Sequence, residues 1–266
     1  MKHSPLSLKI AAAVLYAFLW LPILIVVIFS FNASRFGVAW GGFTTKWYRA
    51  LAENSQALDA MKNTLLLATI STLVSTTLGT MLGYGLSRFK TRATKAANTL
   101  LYIPVFIPDI VMAVSLLLFY SLLRRWLGFF QLGLSTMILA HVTFQIPFVA
   151  IVVRSRLQGL DPALEEAAHD LGANSLQTFF HVTLPMMLPG VIAGALLAFT
   201  LSLDDFVVSF FTSGPGSTTL PILIYSSVKR GLTPEINALS TLIVAASILG
   251  TIAVMFLERR EKKSST

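Results

Sequence analysis

Six stretches of this chain are long and apolar enough to cross a hydrocarbon layer: residues 10–31, 64–86, 100–123, 136–153, 188–211 and 238–257. A helix rises about 1.5 Å per residue, so about 20 consecutive apolar residues span a bilayer core. Away from water the backbone must satisfy its own hydrogen bonds, and unbroken apolar runs of this length do so as helices. The expected fold is therefore all-α and integral to a membrane, with six transmembrane helices and both termini on one side. Composition agrees: 55% of the 266 residues are hydrophobic and 12% charged, with a mean hydropathy of +0.75, far from the usage of soluble domains.

Several function classes fall away at once. Cysteine is absent, which excludes disulfide scaffolds, thiolate metal sites and cysteine nucleophiles. The four histidines are scattered, and no metal site is expected. Polar stretches between the apolar runs reach roughly 30 residues, too few for an independent soluble catalytic core. The net charge of +8 would suggest nucleic acid in a soluble protein, but these basic residues flank apolar runs, where an anionic leaflet accounts for them.

Lys and Arg resist translocation, so their distribution orients the chain. With both termini inside, the inner segments hold twelve of the twenty basic residues, among them the cluster from Arg88 to Lys95 and the tail from Arg259 to Lys263. The first run is read as a retained anchor, because its apolar length exceeds that of a signal peptide and no convincing small-residue cleavage site follows. The outer segment 32–63 carries Trp40, Trp47 and Tyr48, for which a belt at the lipid headgroups is the plainest reading. A second outer piece near Leu220 is apolar over only about eight residues and should dip toward the protein rather than cross.

One sizeable polar segment faces inward, RSRLQGLDPALEEAAHDLGANSLQTFFHVTLP, residues 154–185. Asp161 suits an N-cap and Pro162 the first helical position, Glu165 and Glu166 lie at the positive end of the helix dipole, and Gly172 can close the helix in the left-handed conformation. Asn174 with Gln177 three residues on has the form of a capping box. A second short helix is expected to end before Pro185. Leu164, Ala167, Ala168 and Leu171 would then form an apolar ridge that a groove on another protein could accept.

This loop resembles the EAA motif of ABC importer permeases: Glu166, Ala167, Ala168, Gly172, Leu184 and Pro185 match it in spacing, and Val182 stands for the usual isoleucine. Together with LSLDDFVVSFFTSGPGSTTLP, PEINALSTL, FNASRFGVAW and TTKWYRAL, the likeness to permease subunits of spermidine/putrescine importers covers nearly the whole chain. It implies a type I ABC importer of the bacterial inner membrane. Residues 1–60 would hold the first helix and external segment, 61–257 the permease core and 258–266 a basic cytoplasmic tail. The implied partners are a second permease subunit, two cytoplasmic ATPase subunits and a periplasmic polyamine-binding protein. Glu165 and the matched loop residues would couple to the ATPase. No GxxxxGK[ST] pattern occurs, so this non-catalytic subunit needs no cofactor of its own, and ATP and Mg would be bound by the partner ATPase.

Three acids lie within apolar runs, Asp109 and the adjacent Asp204 and Asp205. Intramembrane charge is costly and marks a pathway or a pair. Neighbouring residues on a helix point about 100° apart, so at most one of Asp204 and Asp205 can aim into a cavity. A polyamine presents several ammonium groups on an apolar chain, which suits spaced carboxylates and aromatic faces. Asp109, Asp204, Asp205, Trp47, Phe206 and Tyr225 are the candidate pathway residues. The competing reading has Asp109 capping backbone freed by Pro108 and one of the paired acids bound to a basic group. His141 reads as hydrogen-bonded to a neighbouring helix. Alternatives are a related ABC importer for another small solute, an ion-coupled secondary transporter using the acids as proton carriers, and an intramembrane hydrolase built on Ser115, Ser202 and His141, which no flanking motif supports.

Overall fold

The computed structural model describes residues 6–34, 39–89, 91–128, 131–161, 163–231 and 233–264, with side chains to residue 249. Lys90, Pro162, residues 35–38 of the first outer segment and the basic side chains of the tail lie outside the described residues. Among the described residues every named element is helical, and the one isolated bridge pairs Asn32 with Phe43. The chain divides into two compact units, Met1–Leu58 with Leu223–Thr266, and Asp59–Ile222.

In the first unit are α1 (Leu6–Phe29), α2 (Lys46–Glu53), most of α11 (Leu220–Arg230) and α12 (Pro234–Ser264), with α12 packed against α1 and α2. The segment after α1 is tied by one buried side chain. Asn32 accepts from the backbone N–H of Gly41 at 2.7 Å and of Ser34 at 3.1 Å, and donates to Ala39 O at 2.8 Å. Trp47 Nε1 donates to Asn32 O at 2.7 Å, and the Tyr48 hydroxyl lies 2.7 Å from Ser30 Oγ. These rings fasten the segment as well as offering apolar surface. Where α2 meets α3 (Ser55–Arg88), Asn54 Nδ2 donates to Glu235 Oε1 on α12 at 2.6 Å.

The second unit is built around α6 (Leu134–Gln158), the most deeply enclosed of the long helices. Lipid tails are as apolar as leucine, so helices associate there by close contact of small residues rather than by expulsion of water. Two small-residue faces meet α6. Gly79 and Gly83 on α3 lie so close that a Cβ would stand 2.7 Å from Val149 Cβ and 2.7 Å from the Ala150 carbonyl oxygen. On the other side, Gly190 and Gly194 of α9 (Leu184–Asp204) approach Arg156 and Val149. Val149, Val153, Met187 and Ala198 form the buried seam between α6 and α9. A further helix, α4 (Arg92–Phe106), packs its Leu101 with Leu86 and Ala150, while α5 (Asp109–Leu127) packs on α10 (Val207–Thr212) through Ala113, Tyr120 and Val208.

Among the described residues, five helical stretches are long and apolar enough to cross a membrane: α1, α3, α5, α6 and the 30 residues Ser175–Asp204; α12 contributes the shorter apolar stretch Pro234–Leu249. Two of the expected single spans are broken. Residues 100–123 divide at Ile107 and Pro108 because proline lacks an N–H and forces its predecessor out of the helical region, here to ψ 131. Residues 188–211 divide at Asp205, which is extended at ψ 123. The outer piece near Leu220 forms α11, whose 11 residues make about 16 Å of helix, half a bilayer core.

Gly83→Ala is expected to lower the thermal stability of the detergent-solubilised protein by about 1–3 kcal/mol, because the facing atom is backbone and cannot step aside. Gly85→Ala, with nothing within 4 Å of the added carbon, should raise it by up to about 1 kcal/mol through helix propensity. Thermal unfolding of both variants checks the contrast in sign.

Candidate functional site

The polar segment folds as its punctuation suggests at its first helix. Asp161 Oδ1 accepts from Ala163 N at 3.0 Å, opening α7 (Ala163–Asp170). Gly172, at φ +87, turns the chain in the region that only glycine enters without strain, with Gly172 N donating to His169 O at 2.9 Å and Ala173 N to Ala168 O at 3.0 Å. Asn174 and Gln177 exchange both bonds of the capping box at 2.9 Å, beginning α8 (Ser175–Thr178).

The second helix does not stop before Pro185. It passes through a π-turn (Phe179–Thr183) directly into α9. Proline can donate no hydrogen bond, and its ring would strike a carbonyl in the turn before it. The widened turn, in which Leu184 N donates to Phe179 O five residues back, admits Pro185 without ending the helix. One rigid rod therefore runs from α8 to Asp204.

The motif residues divide by direction. Leu184 packs into the seam with Val149, Val153 and Met187. Glu166 and Ala167 are exposed, Ala168 is half-buried, and the ridge carries bare aliphatic surface, with Leu171 90% and Leu164 46% exposed. Such side chains on a capped, polar hairpin suit cover by another protein. Glu165 turns the other way, accepting from Thr183 Oγ1 at 2.7 Å and pairing with Arg88 at the end of α3.

At the two broken spans the acids separate equally clearly. Asp109 sits in the first turn of α5, immediately after the proline break, and is exposed. Asp204 ends α9 and is exposed. Asp205 turns inward: its carboxylate accepts from Val208 N at 3.2 Å and Ser209 N at 2.7 Å, starting α10, and lies 3.3 Å from His141 Nε2. Phe206 follows at the break, its ring 5.4 Å from that of Phe210.

Behind Asp205 lies a buried polar network that sequence reading did not assemble. His141, wholly buried on α6, holds Ser202 Oγ at 2.7 Å and Ser209 Oγ at 3.0 Å. Ser202 reaches Ser71 on α3 at 3.3 Å. Gln145 donates to Ser71 Oγ at 3.3 Å and Ala198 O at 3.1 Å, and accepts from Ser75 Oγ at 2.8 Å. The signal was present as polar pairs four apart inside apolar runs, His141 with Gln145 and Ser71 with Ser75, which place both members on one helix face. Serine, histidine and aspartate meet here without forming a hydrolase. Ser202 and His141 are closed to any substrate at 2% and 0% exposure, Asp205 is occupied as a cap, and Ser115 donates to Val111 O within its own helix at 2.7 Å.

Trp47 and Tyr225, the aromatic candidates, belong to the first unit, whereas Asp109, Asp204, Asp205 and Phe206 belong to the second. Trp47 is half-buried by its bond to Asn32, and Lys229 Nζ lies 4.9 Å from the centre of the Tyr225 ring.

The helical architecture described above has counterparts among solved ABC importers. The fold matches a bacterial transporter involved in import of the acidic polysaccharide alginate at TM-score 0.76 and 20% identity, over 97% of this chain and 95% of that one. It also matches the MetNI methionine ABC transporter at TM-score 0.62 and 20% identity, over 84% of this chain and 100% of the other. At this identity the likeness shows a shared fold. The chain belongs to the family of binding-protein-dependent transport system inner membrane components, whose model covers residues 75–260. It is 42% identical to the spermidine/putrescine transport system permease protein PotC of Escherichia coli K12, over 95% of this chain and 94% of that protein. To the putrescine transport system permease protein PotI of the same strain it is 44% identical, over 93% and 89%. It is a multi-pass membrane protein and a transport subunit rather than an enzyme.

His141→Leu removes the partner of Asp205, Ser202 and Ser209 at once and should destabilise the solubilised protein by about 2–4 kcal/mol. Asp204→Asn, at an exposed helix end, should stay within about 0.5 kcal/mol of the parent. Thermal unfolding of the two side by side is the measurement.

Proposed function

We propose that this chain is the permease subunit of an ATP-driven importer that moves putrescine, spermidine or both across the bacterial inner membrane, with both termini cytoplasmic. It pairs with a second, different permease, two cytoplasmic ATPase subunits that bind ATP and Mg, and a periplasmic polyamine-binding protein. The observation that carries this reading is identity above 40%, over nearly the whole chain, to permeases named for spermidine and putrescine.

The geometry supports a cationic cargo. Asp109 and Asp204 stand exposed at the two helix breaks, and Asp204 lies beside the carbonyl end of α9, where the helix dipole adds negative potential. Both acids are available to ammonium groups. Asp205 serves the pathway indirectly, by holding the break in shape. Trp47, Phe206 and Tyr225 supply faces for the methylene chain and its charges. At the inner end, Glu166, Ala167, Ala168 and the leucines of α7 enter a groove on the ATPase. Gly172 lets the hairpin turn sharply enough to present them, while Leu184 and Pro185 belong to the rod that carries the motion into α9.

Reconstitution of the chain in vesicles, alone and with its partners, tests the reading. Labelled spermidine or putrescine should accumulate only with ATPase, binding protein and ATP together. Accumulation by the chain alone under a proton gradient would establish secondary transport instead. Asp109→Asn and Asp204→Asn should each lose a charge-assisted contact of about 1.5–3 kcal/mol, lowering the kcat/KM of uptake roughly ten- to a hundredfold with assembly intact. Unchanged uptake in the double variant would remove both from the route.

A further inference from the structure

The importer reading assigns the hairpin a partner outside the membrane but leaves open how displacement of α7 reaches the spans. None of the residues of α7 is buried. Beneath its first turn lies a cleft of about 400 Å³ lined by Arg88, Arg154, Leu157, Asp161 and Glu165, so apolar packing does not join α7 to α3 there.

Specific contacts bridge the gap. Glu165 pairs with Arg88 at the end of α3 and accepts a 2.7 Å hydrogen bond from Thr183, a buried residue of the π-turn. The Arg88 guanidinium also lies 5.5 Å from the centre of the Tyr84 ring, and that ring meets Phe179, in the same π-turn, at 5.1 Å between centroids. The contacts close into a cycle through Arg88, Glu165, Thr183, Phe179 and Tyr84. It fastens the docking helix to α3 on one side and to the root of α9 on the other. A lone surface ion pair contributes little. Here the carboxylate is only 22% exposed and holds a charged and a neutral donor together, an arrangement with one geometry rather than many.

We propose that Glu165 is a positioning residue: a clasp that binds α7 to α3 and to the π-turn, so that a partner moving the hairpin displaces two spans together. Glu166 faces the partner and Glu165 faces the protein. Without the clasp, α7 would still engage the ATPase, but its movement would reach α9 through the backbone alone and α3 not at all.

The inference rests on the importer reading, and the test separates the two. In the assembled complex in proteoliposomes, spermidine taken up is measured per ATP hydrolysed, with co-purification of the ATPase as the control for assembly. Glu165→Gln should lower that ratio roughly tenfold, as expected for loss of a charged hydrogen bond, and Glu165→Asp by less. Exchanging the pair, Arg88→Glu with Glu165→Arg, should restore most of it, since arginine at position 165 can meet both the new glutamate and the Thr183 hydroxyl. A parental ratio in Glu165→Gln overturns the clasp, as does an exchanged pair no better than either single variant. Should Glu165→Gln fail to assemble, the exchange decides alone: assembled and coupled it supports the clasp, unassembled it overturns it. Absence of uptake in the parent complex would overturn the importer reading and the clasp with it, whereas parental uptake with indifferent variants overturns the clasp only.

Discussion

Hydrocarbon offers helices neither water to satisfy polar groups nor a hydrophobic force to press them together, and the second unit answers both problems around α6. Contact comes from absent side chains. Gly79 and Gly83 on one side, and Gly190 and Gly194 on the other, let two helices approach until a methyl group would not fit. Polarity is handled by closure: His141 and Gln145, both fully buried, meet serines of α3, α9 and α10. Close packing brings those serines within reach, and the satisfied network makes the packed register unique.

That register decides what each acid does. Asp205 is held by His141 and two backbone N–H groups, so the chain must leave the helix after Asp204, and Asp204 is left at an exposed end. A similar division occurs at the hairpin, where Glu165 is drawn inward by Arg88 and Thr183 while Glu166 stays outside. In each adjacent pair one carboxylate is held by groups of the protein and its neighbour stays exposed. At Glu165 and Glu166 the roughly 100° between adjacent helical residues separates the two; at Asp204 and Asp205 the break itself does so.

Much of this was legible in the residues. Apolar runs of about 20 called for membrane helices, and the caps at Asp161, Gly172 and the Asn174 and Gln177 box appear where their chemistry placed them. Local rules sufficed because each cap involves residues within a few positions. The same rules failed at Pro185, where a π-turn let the helix continue, and at residues 100–123 and 188–211, whose apolar length concealed breaks. At Pro108 the break was readable. At Asp205 nothing local required it, since the partner that holds the carboxylate lies 64 positions earlier on another helix.

The sequence by itself determined the solvent this protein folds in, its helical class, the capped hairpin and the family to which it belongs, because hydropathy, capping and motif spacing are properties of short stretches. Only the tertiary structure decided which of Asp204 and Asp205 is free, which of Glu165 and Glu166 faces inward, and that His141 is a buried strut. Those outcomes depend on which helices touch and in what register, and that is set by contacts between residues far apart in the chain.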